Sequence, residues 1–261
     1  MSLTFDLISD LHVDSWPDFN WDNQATSLFC IVAGDIAQDR DVVISTLKHL
    51  STCYQAVFYV DGNDEHCYYL DNISASYADL AKQIKQLPNV VYLQDHVVVL
   101  NGTAIIGTNG WWGFDFDLGI SSEQSANWYQ EKNSVSNSIT KCISRLALTD
   151  ATYMISSIKR LQTHPDVKNI VIVTHTVPDP ALIAHDITLA GTMRFNTMGN
   201  RYMMQALAAD TEHKIHTWCF GHYHDSLDQT RGNIRFVNNC KGRSNTLHSQ
   251  YAYYPRRVVI D

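Results

Sequence analysis

In AVFYVDGNDEH, residues 56–66, a run of apolar, β-branched and aromatic side chains stops at Asp61 and gives way to a glycine, an amide and two carboxylates. Such a run bounded by a turn signal reads as a buried strand, and the polar residues then fall at its carboxyl end. The same arrangement recurs along the chain. TFDLIS (4–9) leads into Asp10-Leu11-His12, LFCIVA (28–33) into Gly34-Asp35, NIVIVT (169–174) into His175, and HTWCF (216–220) into Gly221-His222-Tyr223-His224. Open α/β sheets bind ligands at the carboxyl ends of their strands, where the loops emerge side by side. The pattern therefore predicts one rim that gathers oxygen and nitrogen donors from distant parts of the sequence.

The segments between these runs predict a mixed sheet. DVVISTLKHLSTC (41–53) carries Val42, Leu47 and Leu50 near helical spacing behind an acidic start, which suits a right-handed crossover. HVVVLNGTAIIGT (96–108) is two β-rich runs separated by Asn101-Gly102, a type I′ hairpin signal that makes part of the architecture antiparallel. NIRFVN (233–238) and RRVVID (256–261) read as further strands. Residues 121–165 are first Ser/Asn-rich and then helical from about Ile139 to Leu161, with Ile143, Leu146, Ile155 and Ile158 on one face. This is expected to be a helical insertion, at about 113–165, within a single domain spanning 1–261.

A chain of 261 residues with 45% hydrophobic content buries a large core. With 19 Lys+Arg against 27 Asp+Glu, the net charge is −8, and the average surface repels a long nucleic acid, so a small anion suits it better. The N-terminal residues lack signal-peptide character, and no window approaches the roughly 18 apolar residues of a membrane helix, so no membrane partner and a cytoplasmic location are expected. The six cysteines are scattered and read as reduced thiols, not as a disulfide framework.

Carboxylate and amide oxygens mixed with imidazoles, without thiolates, suit Mn, Fe or Zn. In order along the chain, Asp10-x-His12, Gly34-Asp35, Gly62-Asn63-x-Glu65, His175-x-x-Pro178 and Gly221-His222-x-His224 resemble the calcineurin-like metallophosphoesterase superfamily. The resemblance implies an α/β fold, a four-layer α/β/β/α sandwich with two mixed β-sheets flanked by helices. It implies two divalent metal ions, one held by Asp10, His12, Asp35 and His224, the other by Asp35, Asn63, His175 and His222, with Asp35 as the bridge. It also implies hydrolysis of a phosphoester bond in a small phosphorylated substrate or nucleotide, by attack of a metal-bridging hydroxide.

Asp64 stands where many members of that superfamily have a histidine that assists the leaving group or contacts the phosphate. The departure is expected to bear on proton delivery and to leave metal binding intact, with Asp64 or His66 as catalytic acid. Arg194 and Asn200, in the connection between His175 and the GHYH stretch, are candidate substrate contacts. Lys241 and Arg243 form too short a basic cluster to mark a site. Trp111 and Trp112 either wall a pocket or pack against the insertion. Two rival readings remain: a protein-binding scaffold on the same fold, which loss of ligands would favour, and a nuclease, which the acidic balance disfavours.

Overall fold

The computed structural model describes residues 2–17, 24–117, 119–245 and 252–261. The architecture is mixed α/β, with two mixed sheets. The chain divides into two compact units, residues 1–109, 165–175 and 213–261 forming the first, and 110–164 and 176–212 the second.

The first unit holds both sheets. One has the order β11-β1-β2-β3-β4, built from β1 (Leu3–Ile8), β2 (Phe29–Ala33), β3 (Ala56–Val60), β4 (Val90–Tyr92) and β11 (Arg256–Ile260). Its strands are parallel apart from β11, which runs antiparallel to β1. The other has the order β5-β6-β7-β8-β10-β9, built from β5 (His96–Leu100), β6 (Thr103–Thr108), β7 (Asn169–Thr174), β8 (Ile215–Phe220), β9 (Ser226–Arg231) and β10 (Ile234–Asn239). Its central strands β6, β7, β8 and β10 are parallel, with antiparallel β5 and β9 at the edges.

The hairpin turn expected at Asn101-Gly102 forms with positive φ at both residues, 52° and 78°, as a type I′ turn requires. Inward residues of both sheets, Phe5, Leu7, Ile31, Phe58 and Val60 with Ile105, Val171, Val173, Cys219 and Val237, meet in one buried cluster. The opposite face of the first sheet is covered by helices α1 (Arg40–Cys53) and α2 (Ile73–Ile84), which bring Val43, Leu47, Leu50, Leu80 and Ile84 onto Cys30, Val32, Val57 and Tyr59. Position 43, not 42, is on the buried stripe of α1, because the i, i+4, i+7 register starts there. A helix layer and two sheets thus account for three of the expected layers within this unit.

The second unit is helical, with α3 (Ser122–Asn133), α4 (Asn137–Gln162) and α5 (Met204–Ala208). The buried face of α4 runs through Ile139, Ile143, Ala147, Asp150, Ala151, Met154 and Ile158, whereas Leu146 and Ile155 are half-buried. Buried Asp150 explains the shift: its Oδ2 accepts from the amides of Gly110 (2.8 Å) and Trp111 (3.1 Å), so the helix turns its carboxylate inward. Trp111 and Trp112 are buried, and Trp112 packs edge-on against Tyr129 and Phe114, which is the packing role. All six cysteines are free thiols. Among the described residues, no helix is long and apolar enough to cross a membrane.

Candidate metal centre

Five parallel strand ends supply the donors: β1 Asp10 and His12, β2 Asp35, β3 Asn63, β7 His175, and β8 His222 and His224. All seven belong to the first unit. Two groups form, Asp10, His12, Asp35 and His224 in one and Asp35, His175 and His222 in the other, each with its donor atoms within 4.8 Å of one another. Asn63 joins the second group through Oδ1, 3.2 Å from His175 Nε2. Asp35 is common to both groups, with Oδ1 3.3 Å from His175 Nε2 and Oδ2 4.0 Å from His12 Nε2.

The backbone at these strand ends is unusual. Asp10, His12, Asp35 and His222 all have left-handed φ, from 42° to 63°, a conformation that costs a non-glycine residue energy and concentrates at functional sites. The glycines of the three motifs that carry one are explained by space. A Cβ on Gly62 would lie 2.1 Å from Asp35 Oδ1, one on Gly221 2.5 Å from Asp10 Oδ2, and one on Gly34 2.5 Å from His175 Nδ1. Each ligand candidate therefore passes where a neighbouring side chain would begin.

Surrounding groups fix which atom of each donor faces the cluster. His175 Nδ1 is 2.9 Å from Ala33 O, leaving Nε2 turned inward, 3.1 Å from His222 Nδ1. His12 Nε2 lies 3.1 Å from His224 Nε2, while His12 Nδ1 lies 3.2 Å from Asp64 Oδ2, an ion-pair contact without an aligned hydrogen bond. The His222 amide donates to both oxygens of Asp10, at 3.0 and 3.1 Å, and the Cys240 thiol donates to Oδ2 at 2.9 Å. Glu65 accepts from the amides of Asp35 (3.1 Å), Ile36 (2.7 Å) and Gly62 (2.8 Å), tying the loops after β2 and β3 together.

Burial of this much carboxylate calls for positive charge. Burial alone would raise the pKa of Asp10 and Asp35, but the His224 hydrogen bond and His175 charge at Asp10, and the His175 charge and hydrogen bond at Asp35, hold both well below the usual carboxylate range. Reciprocally, burial would lower His175, yet Asp35 raises it to about 10. Burial and the neighbouring His175 push His222 down to about 3, which keeps its lone pair available. Glu65 is pushed up to about 8 by burial and by Asp35. Paired imidazole nitrogens 3.1 Å apart, facing buried carboxylates at distances compatible with metal bonds of about 2.0–2.2 Å, fit a divalent cation in each group. Among the described residues, the cluster opens toward solvent at His224, whose side chain is 22% exposed, and at half-buried His222 and Asn63.

The remaining sequence candidates fare differently. Asp64 faces the ligand candidate His12. Its Oδ2 also receives Arg243 Nη2 and Gln38 Nε2 (3.4 Å), and its Oδ1 receives Asn63 Nδ2 (3.0 Å). Surrounded by donors, this carboxyl group acts as an acceptor. His66 is fully buried, with Nε2 2.8 Å from Asp61 Oδ2 and Nδ1 2.8 Å from Ser76 Oγ, so both ring nitrogens are engaged in bracing the loop. Arg194 and Asn200 lie in the second unit. Arg194 is exposed, whereas buried Asn200 donates to Ala147 O (2.8 Å) and accepts from Tyr202 N (3.0 Å), which occupies its amide in holding its own loop. Arg243, set aside in the sequence as part of a short basic cluster, and Cys240, which the sequence did not single out, lie just past β10, a sixth strand ending at the same rim.

No protein-family model matches the chain, and no curated protein matches it. Among solved structures, phosphopantetheinyl hydrolase from Mycobacterium tuberculosis is similar over 98% of this chain and 95% of that one, with 19% identity and a TM-score of 0.71. A putative 5′-nucleotidase from Staphylococcus aureus aligns with all of this chain and 51% of its own, at 15% identity and a TM-score of 0.49, too low to define a shared fold. The likeness to the hydrolase spans nearly the whole of both chains, so this chain shares the fold of that structure.

Proposed function

We propose that this chain is a metal-dependent phosphoester hydrolase acting on a small phosphorylated molecule or nucleotide. The observation that carries the reading is the meeting of two donor groups that share Asp35. Asp10, His12, Asp35 and His224 would hold one divalent ion, and Asp35, Asn63, His175 and His222 the other, with Mn, Fe or Zn fitting the donors. Such ions would supply charge that neutralises a phosphate and lowers the pKa of a water nucleophile.

The chain's own residues supply the rest. Ala33 O and Asp64 orient the rings of His175 and His12, so that each presents Nε2. The left-handed turns at Asp10, His12, Asp35 and His222 preorganise the donors before substrate arrives. Among the described residues, the ligand candidates reach solvent at Asn63, His222 and His224, so an anionic group enters on that side. No buried side chain is required as a nucleophile.

The test is purified protein assayed with nitrophenyl phosphate, bis-nitrophenyl phosphate and a nucleotide panel, with added Mn²⁺, Fe²⁺ or Zn²⁺ and metal content measured in parallel. Turnover that disappears on chelation and returns with metal is expected. Inactivity on every ester with two ions bound would favour the scaffold reading instead.

A further inference from the structure

We propose that Arg243 is a phosphate-gripping residue of this site. The inference rests on the hydrolase reading and adds to it a cation supplied by the protein itself.

The position of Arg243 is built by backbone, not by chance contact. After β10, the chain continues alongside the exit of β1: Ser9 N donates to Asn239 O (3.1 Å), Lys241 N to Ser9 O (3.1 Å) and Gly242 N to Asp10 O (2.9 Å). Buried Gly242 then takes φ +80°, which a side chain would resist, and turns the chain so that Arg243 emerges over Asp64. Its Nη2 meets Asp64 Oδ2, the same oxygen that faces His12 Nδ1. A chain of contacts thus runs from a ligand candidate through a carboxylate to a guanidinium.

Exposure distinguishes the members of that chain. The His12 side chain is wholly buried and that of Asp64 is 6% exposed, but Arg243 keeps 36% of its side chain open. The guanidinium is therefore the end of the relay that an incoming solute meets. Its planar fork matches two oxygens of a phosphate, and Asp64 anchors it so that little side-chain freedom is lost on binding. Lys241, in the same turn, places a second cation nearby, 3.7 Å above the Trp16 ring, on a chain whose net charge is −8.

The test is inorganic phosphate binding by titration calorimetry to Mn²⁺-loaded wild type, Arg243→Ala and Arg243→Lys, with metal content and thermal unfolding recorded for each. Expected are unchanged metal stoichiometry, phosphate affinity weaker by about ten- to a hundredfold in Arg243→Ala, and partial recovery in Arg243→Lys. In turnover the loss is expected in KM more than in kcat. Arg243→Ala with wild-type phosphate affinity would overturn the inference while leaving the hydrolase reading standing. A fall in metal content large enough to account for the weakening would also overturn it, making Arg243 a brace for Asp64. Wild type that takes up no metal and binds no phosphate would remove the reading and the inference together.

Discussion

His12 and His175 are the two deepest imidazoles of the cluster, both fully buried and both turning Nε2 inward, but different things stand behind them. Behind His175 is the carbonyl of Ala33, part of β2 itself. Behind His12 is the carboxylate of Asp64, a loop side chain that also carries Arg243. A ring held by backbone is as rigid as the sheet and can be altered only by disturbing the strand. A ring held by a side chain can be tuned without touching the fold, and its support extends to the protein surface. One half of the centre is thus fixed by architecture and the other by chemistry that a single substitution can change.

The largest effect is expected where the halves meet. Asp35→Asn removes the charge that both groups share, so metal content should fall in both and kcat/KM on any good substrate should drop on the order of 10³-fold or more, the scale of several kcal/mol of lost charge stabilisation. Retention of two bound ions in this variant, measured by elemental analysis, would mean that Asp35 is not the bridge.

Gly34→Ala strikes the backbone-held half. The added Cβ would sit 2.5 Å from His175 Nδ1 and 2.8 Å from Gly62 N, at φ +84°. Because the carbonyl behind His175 belongs to the strand, the damage is expected in stability and binding together. A loss of about 1–3 kcal/mol should appear, with a Tm lower by several degrees and one ion lost. Asp64→Asn strikes the other half and should separate the two. Loss of the carboxylate behind His12 is expected to weaken one ion about 10- to 100-fold, leaving the second ion and Tm close to wild type. If both variants lowered Tm equally, the distinction between the halves would fail.

The same contrast explains what could be read from sequence. The donors were legible because each follows its strand within four residues, so a local pattern of apolar run, glycine and polar side chain carries the information. The hairpin was legible for the same reason, Asn101 and Gly102 being adjacent. β4 and β9 escaped notice: the first is three residues long, and the second, SLDQTR, is a polar edge strand with little hydrophobic signal. α3 was hidden by its polarity, though Ser121 and Gln124 form a capping box at its start. What stands behind the ligands was not legible, because it is set by contacts that no short window contains. Arg243 is 179 positions from Asp64. His66 has the right chemistry for an acid, but Asp61, five residues earlier, and Ser76 engage both of its ring nitrogens, which its own sequence window does not show.

The smallest effect is expected at a carboxylate paired with arginines and outside the two donor groups. On β9, Asp228 accepts from Arg235 Nε (2.9 Å) and Nη2 (2.8 Å) and from Arg256 Nη1 (3.0 Å). The Arg235 hydrogen bond, with Arg256 assisting and partial burial opposing, lowers the Asp228 pKa below its ordinary value. A carboxyl group depressed in the folded state contributes stability above its unfolded pKa of about 3.9 and loses that contribution as pH falls through the folded value. Asp228 is about 30% exposed, so solvent screening limits the gain to a few tenths up to about 1 kcal/mol. Asp228→Asn should therefore shift the urea midpoint slightly at pH 7, with the difference from wild type shrinking as acid protonates the wild-type carboxylate, and should leave metal content unchanged. An Asp228→Asn variant as disruptive to metal binding as Asp64→Asn would show that an arginine-paired carboxylate matters here wherever it sits, and that the place of Asp64 behind His12 is not what gives it its effect.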